Sequence, residues 1–139
     1  MQGRGGPKDV VQALVAAINA HDPAASRELF LPDAWMVTAA GRRLDLDGLE
    51  RMIELTLGAF PDLTMRVARW LVDGNMVVTE EVMEATHRGQ FAGLAPTGRR
   101  VHLPMVHLTT VSGDRIAERV TYHDTAGVLR QLAVPSDQL

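Results

Sequence analysis

The hydrophobic pattern of this 139-residue chain changes its period once, near Pro61. Before Pro61, apolar residues recur at helical spacing, and we predict helices that begin near Pro7, Pro23 and Asp47. From Leu63 onward, apolar and polar residues alternate with the period of two that is typical of half-buried strands. Helices followed by a run of strands indicate an α+β fold in which the helices pack on one face of the sheet.

Turn signals divide the second half of the chain into long strands. We predict strands over 76–87, 99–111 and 115–123, a shorter strand over 34–39 before the third helix, and a last helix over 125–133 that Pro135 stops. The strands should form an antiparallel meander, with Pro104 at a bulge or an edge. Because long strands of a twisted sheet curve, we expect a cone-shaped sheet, closed by the helices around an apolar pocket.

Composition limits the organisation and the partners. We predict a disordered tail over 1–6, a single α+β domain over 7–134 and a C-terminal tail over 135–139. Net charge is -3 and Lys8 is the only lysine, so no basic patch suggests nucleic acid. The chain contains no cysteine, which excludes thiol catalysis and disulfides. No apolar signal core or membrane-length stretch is visible, so a cytoplasmic protein without membrane contact is the expectation.

Asp124 is the first candidate for chemistry. It ends the predicted strand that starts at Arg115 and stands at the mouth of the last helix. Such a carboxylate is a plausible general acid/base, but Asp is also a preferred helix N-cap. Burial in an apolar pocket would favour the protonated acid, whereas backbone hydrogen bonds at a cap would favour the carboxylate, so the two roles are distinguishable.

His107 is the second candidate. If the turn at 112–115 pairs Val111 with Ile116, then His107 lies opposite Val120 and on the same face as Asp124. The two side chains would then be separated by about four residues, or roughly 13 Å, along the strand. A pocket role and a core or surface role both remain open for His107. No histidine or carboxylate spacing argues for a metal.

Four segments, at 59–63, 86–98, 113–118 and 127–132, together with Asp124, resemble the SnoaL-like polyketide cyclase family. The most specific are Phe-Pro-Asp-Leu at 60–63 and Thr-His-x-Gly-x-Phe-x-Gly-x-x-Pro-Thr-Gly at 86–98. The resemblance implies the cone-shaped fold of the nuclear-transport-factor-2-like superfamily. It also implies a cofactor-free enzyme that closes a ring of an aromatic polyketide by intramolecular aldol condensation, with Asp124 as the acid/base.

Glu81 departs from the family pattern, because relatives often carry an aromatic or apolar residue there. It shares a strand face with Val77, Thr79 and Met83, and this company predicts that it points inward. A second carboxylate in the pocket would permit other chemistry, and a surface charge after a bulge is the alternative.

Other residues are predicted to contact the substrate or to fill core. His87 could bond a loop backbone, Trp35 is the better pocket candidate of the two tryptophans, Phe91 could cap the pocket entrance, and His123 should face away from Asp124. Four methionines could form a soft pocket lining. The predicted substrate-binding set is Trp35, Glu81, His87, Phe91, Met105 and Tyr122, and the methionines are Met52, Met65, Met83 and Met105.

The function predicted from sequence is therefore a polyketide cyclase in antibiotic biosynthesis, acting without cofactor or metal on a hydrophobic polycyclic small molecule. A hydroxylase partner, an epoxide-hydrolase-type enzyme on the same fold and a non-catalytic binding module are the alternatives. The resemblance further implies a homo-oligomer, a homodimer or a homotetramer.

Overall fold

The computed structural model describes residues 5–133, so residues 1–4 of the predicted N-terminal tail, Pro135 and the whole predicted C-terminal tail lie outside it. The chain begins with helix α1, Pro7–Asn19, in which Pro7 occupies the first turn. A proline is tolerated there because its missing N–H would have no helical partner. Helix α2, Pro23–Glu28, is capped as predicted, since Asp22 accepts a hydrogen bond from the Ala25 N–H at 3.0 Å.

Helix α3 spans Leu46–Ala59, and its N-cap is Asp45. The Asp45 side chain accepts a hydrogen bond from the Gly48 N–H at 2.8 Å. The prediction that Asp47 begins this helix was wrong, because an aspartate two residues earlier meets the backbone geometry of a cap. The Asp47 carboxylate instead accepts a hydrogen bond from Arg27 at 2.6 Å, which ties α2 to α3.

Six strands form one curved, unclosed sheet in the order β2-β1-β6-β5-β4-β3. The elements that follow α2, besides α3, are β1 Phe30–Val37, β2 Arg43–Leu44, β3 Thr64–Asp73, β4 Met76–Thr86, β5 Arg100–Ser112, β6 Arg115–His123 and α4 Thr125–Ala133. The pairing of β1 with β6 is parallel and all other pairings are antiparallel. The predicted α+β class is thus confirmed, with a mixed sheet in place of a purely antiparallel one.

The apolar faces of the helices pack on the inner face of the sheet. Val10 and Leu14 of α1 meet Phe30 of β1 and Ile116 of β6 in one buried cluster. A second cluster, nearer the other end, joins Phe60 to β4, β5 and α4. The helices and the sheet therefore enclose the space between them from opposite sides. Within residues 5–133, no helix is long and apolar enough to cross a membrane.

A β-bulge sets the register between β5 and β6. Val111 pairs with Ile116 as predicted, but Thr110 pairs with Glu118, so Ala117 is an extra residue on β6. Beyond this bulge His107 faces Thr121, and the predicted partner, Val120, was wrong. A shift of one residue moves a side chain to the opposite face of a sheet. His107 therefore does not share a face with Asp124.

The far end of β5 extends beyond β6. Pairing between the two strands starts at Met105 and His123, so residues 100–104 have no strand on that side. Pro104 lies in this segment, in agreement with the predicted edge position. Helix α4 covers the edge: the Gln131 side-chain amide donates to the His102 C=O at 2.9 Å and accepts from the His102 N–H at 2.8 Å.

Candidate active site

An apolar cavity of about 280 Å³ lies between the helices and the inner face of the sheet. Helices α1, α3 and α4 supply one wall, and strands β1, β3, β4, β5 and β6 supply the other. All four methionines predicted to line the pocket do so, namely Met52, Met65, Met83 and Met105. Flexible thioether side chains adapt to irregular ligand shapes, so this wall suits a bulky apolar molecule.

The polar side chains of the sheet wall are concentrated on β5 and β6. His107 on β5, and Arg119, Thr121 and His123 on β6, all line the cavity. The bulge brings the three β6 residues onto the inner face, because side chains at alternate positions of a strand share one face. This wall is where the cavity can act on a polar group of a ligand.

Glu81 of β4 lies beside these side chains on the inner face of the sheet and is completely buried. One carboxylate oxygen accepts a hydrogen bond from Thr79 Oγ1 at 2.6 Å and a longer one from Arg119 Nη2 at 3.4 Å. The other oxygen lies 3.6 Å from His107 Nε2. The inward orientation predicted for Glu81 is confirmed, and its charge is matched by a buried arginine.

Arg119 completes this buried cluster. Its Nη1 donates to Thr109 Oγ1 at 2.8 Å, and its side chain is 4% exposed. Burial lowers the pKa of Arg119, and the Glu81 carboxylate opposes that change. Pairing with Glu81 keeps the Arg119 guanidinium charged at the cavity wall, where water does not screen it.

His107 is held between two groups of unlike character. Its Nδ1 lies 2.9 Å from Thr121 Oγ1, while Nε2 faces Glu81 and has no hydrogen-bond partner. Burial lowers the pKa of His107 well below its ordinary range, and the positive charge of Arg119, with that of His123 when it is protonated, adds to this effect. The carboxylate of Glu81 is already matched by Arg119, so burial governs, and the imidazole is neutral at pH 7.

His123 lies nearer the mouth of the cavity and is half-buried. Partial burial lowers its pKa, and the neighbouring Asp124 carboxylate opposes the shift. His123 was predicted to face away from Asp124, and it lines the cavity whereas Asp124 does not, because the bulge turns this part of β6 so that His123 takes the inner position. Two neutral imidazoles therefore stand on adjacent strands of the same wall.

Asp124 lies outside the cavity lining and caps α4. Its Oδ1 accepts a hydrogen bond from the Gly127 N–H at 2.9 Å, and its Oδ2 accepts one from Arg130 at 3.2 Å. The side chain is 65% exposed. A Cβ at position 127 would lie 2.5 Å from Asp124 Oδ2, so glycine there leaves room for the cap. This geometry matches the helix-cap alternative. Asp124 does not line the cavity, so no contact with the cavity supports its predicted catalytic role.

Trp35 and Tyr122, both predicted to bind substrate, are not among the residues that line the cavity. Trp35 donates from its indole nitrogen to Glu118 at 3.1 Å, and Arg43 lies 4.2 Å from its ring centroid. Its neighbour Met36 faces the cavity, so strand alternation directs Trp35 outward. Tyr122 is 58% exposed for the same reason, since Thr121 and His123 take the inner positions.

His87 and Phe91 belong to the loop that connects β4 and β5. His87 is buried, and its Nδ1 accepts a hydrogen bond from the Thr97 N–H at 3.2 Å. This is the loop-bonding role that the sequence suggested, and His87 does not line the cavity. Phe91 does line it, and its ring meets the Phe60 ring edge-on with centroids 5.2 Å apart. Phe91 thus closes one side of the cavity.

Sequence reasoning missed Arg119, Thr121 and His123. Their alternation on β6 is visible in the sequence, but a regular hairpin register assigns all three to the outer face. Strand β6 mixes charged, polar and apolar residues throughout, so no sequence signal distinguished Arg119 as buried. Among the described residues, no cluster of three or more histidine or acidic side chains could hold a metal ion.

The fold and the cavity define a class. A protein of Catenulispora acidiphila described as having a ketosteroid isomerase-like fold is 25% identical, over 92% of this chain and 95% of its own, with a TM-score of 0.77. The expected nuclear-transport-factor-2-like architecture is therefore confirmed. No curated protein matches the chain in sequence.

The family model of the SnoaL-like polyketide cyclases matches residues 8–132, so the chain belongs to this family. IdmH of Streptomyces antibioticus, a candidate polyketide cyclase, is 32% identical over 92% of this chain and 99% of its own, with a TM-score of 0.81. AclR of Streptomyces galilaeus, a candidate hydroxylase, is 25% identical over 95% of this chain and 86% of its own, with a TM-score of 0.84. Family and relatives support a cyclase-like enzyme.

Proposed function

We propose that this protein closes a ring of a hydrophobic, carbonyl-bearing polyketide by intramolecular aldol condensation, with His107 as the proton acceptor. The observation that carries the proposal is a neutral, buried imidazole on the one polar wall of an apolar cavity. An uncharged base is ready to accept a proton at neutral pH, and this catalysis contributes about 10²–10⁴-fold to a rate.

The cavity supports a substrate without formal charge. Its volume of about 280 Å³ is near the lower end of ligand pockets, which are typically about 300–1,000 Å³. The charges of Glu81 and Arg119 already match each other, so a charged substrate would enter a pocket with no free counter-charge on this wall. A compact aromatic or polycyclic ketone fits both conditions, and Phe91 would close over it.

The reaction is a transfer of one proton followed by formation of one carbon–carbon bond. A proton from the carbon next to a carbonyl passes to His107, and the electron pair moves onto the carbonyl oxygen. That enolate carbon attacks a second carbonyl, and the new alkoxide takes the proton back from the imidazolium. Arg119 and the imidazolium would stabilise the negative oxygen in a medium of low dielectric constant.

Replacement of His107 by Gln tests this proposal. With a diketone polyketide analogue as substrate, we expect kcat to fall by about 10²–10⁴-fold. The matched control is His102→Gln, an exposed histidine on the outer face of the same strand, which should retain activity. Full turnover by His107→Gln would overturn the proposal. A large loss in Asp124→Asn, with His107→Gln unaffected, would instead assign the chemistry to Asp124.

Hydroxylation is the second candidate, because AclR is described as a candidate hydroxylase and 25% of its aligned residues are identical. The two reactions are separated by the mass of the product. Ring closure leaves the mass unchanged or removes water, whereas hydroxylation adds one oxygen atom.

We also propose that the protein is a homodimer in an antibiotic-biosynthesis pathway, as the family resemblance implied. The outer surface of the sheet exposes large apolar side chains, among them Leu71 at 70% and Tyr122 at 58% exposure. Exposed apolar patches of this kind mark association surfaces in soluble proteins. Light scattering on the purified chain tests the mass, and a monomer at micromolar concentration would contradict the dimer.

A further inference from the structure

The side chain of His107 presents neither ring nitrogen to the cavity as a free acceptor. Nδ1 is bonded to Thr121 Oγ1 at 2.9 Å, and Nε2 faces Glu81 Oε1 at 3.6 Å and is inaccessible to solvent. A proton that leaves a substrate in the cavity must therefore reach His107 through another group or after the ring turns. Thr121 is the group in place, because it lines the cavity and contacts Nδ1.

The surroundings of Nε2 decide which ring nitrogen carries the hydrogen. A carboxylate oxygen 3.6 Å away favours an N–H at Nε2 over a lone pair that it would repel. In that tautomer Nδ1 is an acceptor, so the Thr121 hydroxyl donates to it. The lone pairs of the Thr121 oxygen are then free to accept a proton from the cavity side.

We infer that Thr121, His107 and Glu81 form a proton relay in which the Thr121 hydroxyl is the catalytic group that touches the substrate. This inference rests on the proposed function. The hydroxyl oxygen accepts the proton from the substrate carbon while its own proton moves to His107 Nδ1. One O–H bond forms and one breaks at Thr121, the electron pair of the C–H bond stays with the enolate, and His107 becomes an imidazolium. On the return step the same two protons move in reverse.

Glu81 is a positioning residue in this relay. Thr79 and Arg119 hold one carboxylate oxygen, which directs the other toward Nε2. Both facing atoms lack a hydrogen-bond partner, and each is buried. Once His107 carries two N–H groups, a movement of a few tenths of an ångström would close a charge-assisted hydrogen bond between them. Glu81 thus fixes the tautomer of the neutral ring and stabilises the imidazolium once it has formed, as in hydroxyl–imidazole–carboxylate systems of other folds.

The test compares Thr121→Val, which keeps the shape of the side chain, with Thr121→Ser, which keeps the hydroxyl. We expect Thr121→Val to lower kcat by about 10²-fold with little change in KM, and Thr121→Ser to stay within a few-fold of the parent. Thr110→Val, on the outer face of β5, is the matched control. A solvent deuterium isotope effect on kcat is expected in the parent and in Thr121→Ser, since the relayed hydroxyl proton exchanges with water. It should vanish from the residual activity of Thr121→Val.

Nitrogen-15 NMR of labelled protein tests the tautomer independently of turnover. We expect the hydrogen of His107 at Nε2, and a hydrogen at Nδ1 would overturn the relay. Active Thr121→Val beside inactive His107→Gln would also overturn the relay and leave the proposed function standing. Full activity in both variants would instead refute the proposed function.

Discussion

Glu80 and Glu81 are neighbours on β4, and they differ in almost everything except their chemistry. Glu80 points outward and accepts two hydrogen bonds from Arg69, both at 2.9 Å. Glu81 points inward and reaches Arg119 at only 3.4 Å. The outer pair has the better geometry, but water competes with it, whereas the inner pair is buried away from water. The solvent, more than the distance, therefore decides what each carboxylate can do.

Removing the inner carboxylate should have the largest effect on stability. In Glu81→Ala the Arg119 charge stays buried without a partner, and such losses cost about 3–5 kcal/mol. Chemical denaturation of purified variants measures this. The double variant Glu81→Leu/Arg119→Met, which removes both charges and keeps apolar volume, should regain most of the loss. If Glu81→Ala unfolds at the parent denaturant concentration, the inner pair is not a buried ion pair in solution.

Low pH should have the next largest effect on stability, through the buried histidines of the inner face. Burial lowers the pKa of His107, so the unfolded chain takes up a proton below the ordinary pKa of 6.5 while the folded chain resists it. The unfolding free energy therefore falls as the pH drops below that value, by at most about 1.4 kcal/mol per pH unit for each proton. His123 contributes with the same sign. Denaturation at a series of pH values should show a shallower slope for His107→Gln, and an unchanged slope would contradict the burial argument.

Replacing Asp124 should have a smaller effect, and only on the stability of the fold. Asp124→Ala removes the cap of α4 and should cost about 1 kcal/mol, whereas Asp124→Asn keeps a good capping residue. Thermal unfolding followed by circular dichroism measures both. Equal losses in the two variants would mean that the ion pair with Arg130, and not the cap, holds the start of α4.

The outer carboxylate is the matched control and should have the smallest effect. Glu80→Ala breaks the two hydrogen bonds to Arg69, but both side chains are exposed, so we expect little change in the denaturation midpoint. Arg69 lowers the pKa of Glu80, and that influence should weaken in high salt. A loss comparable to that of Glu81→Ala would erase the distinction between the two faces.

The alternation of side chains along the strands predicted the fold better than it predicted the orientations of the site residues. It placed Glu81 inward correctly, because the apolar neighbours of Glu81 on β4 continue the core pattern without interruption. It failed on β6, where the extra residue Ala117 reverses the faces and no residue type marks the bulge. The orientation of His107 relative to Asp124, and the face on which His123 lies, both depended on that one position.

Contacts between residues that are distant in sequence could not be predicted either. The parallel pairing of β1 with β6 joins residues about eighty positions apart, and no local pattern encodes it. The buried partnership of Glu81 with Arg119 depends on the same assembly of strands. Trp35 does not line the cavity because its neighbour Met36 does, and only the packed sheet reveals which of the two faces inward.

The hydrogen bonds between Gln131 and the backbone of His102 affect whether the protein aggregates at high concentration. A strand that outlasts its neighbour offers free N–H and C=O groups, and a second chain can add a strand there and start an aggregate. The amide of Gln131 presents one donor and one acceptor to those groups, as a neighbouring strand would. Helix α4 thus prevents a second copy of the chain from pairing with this edge of the sheet.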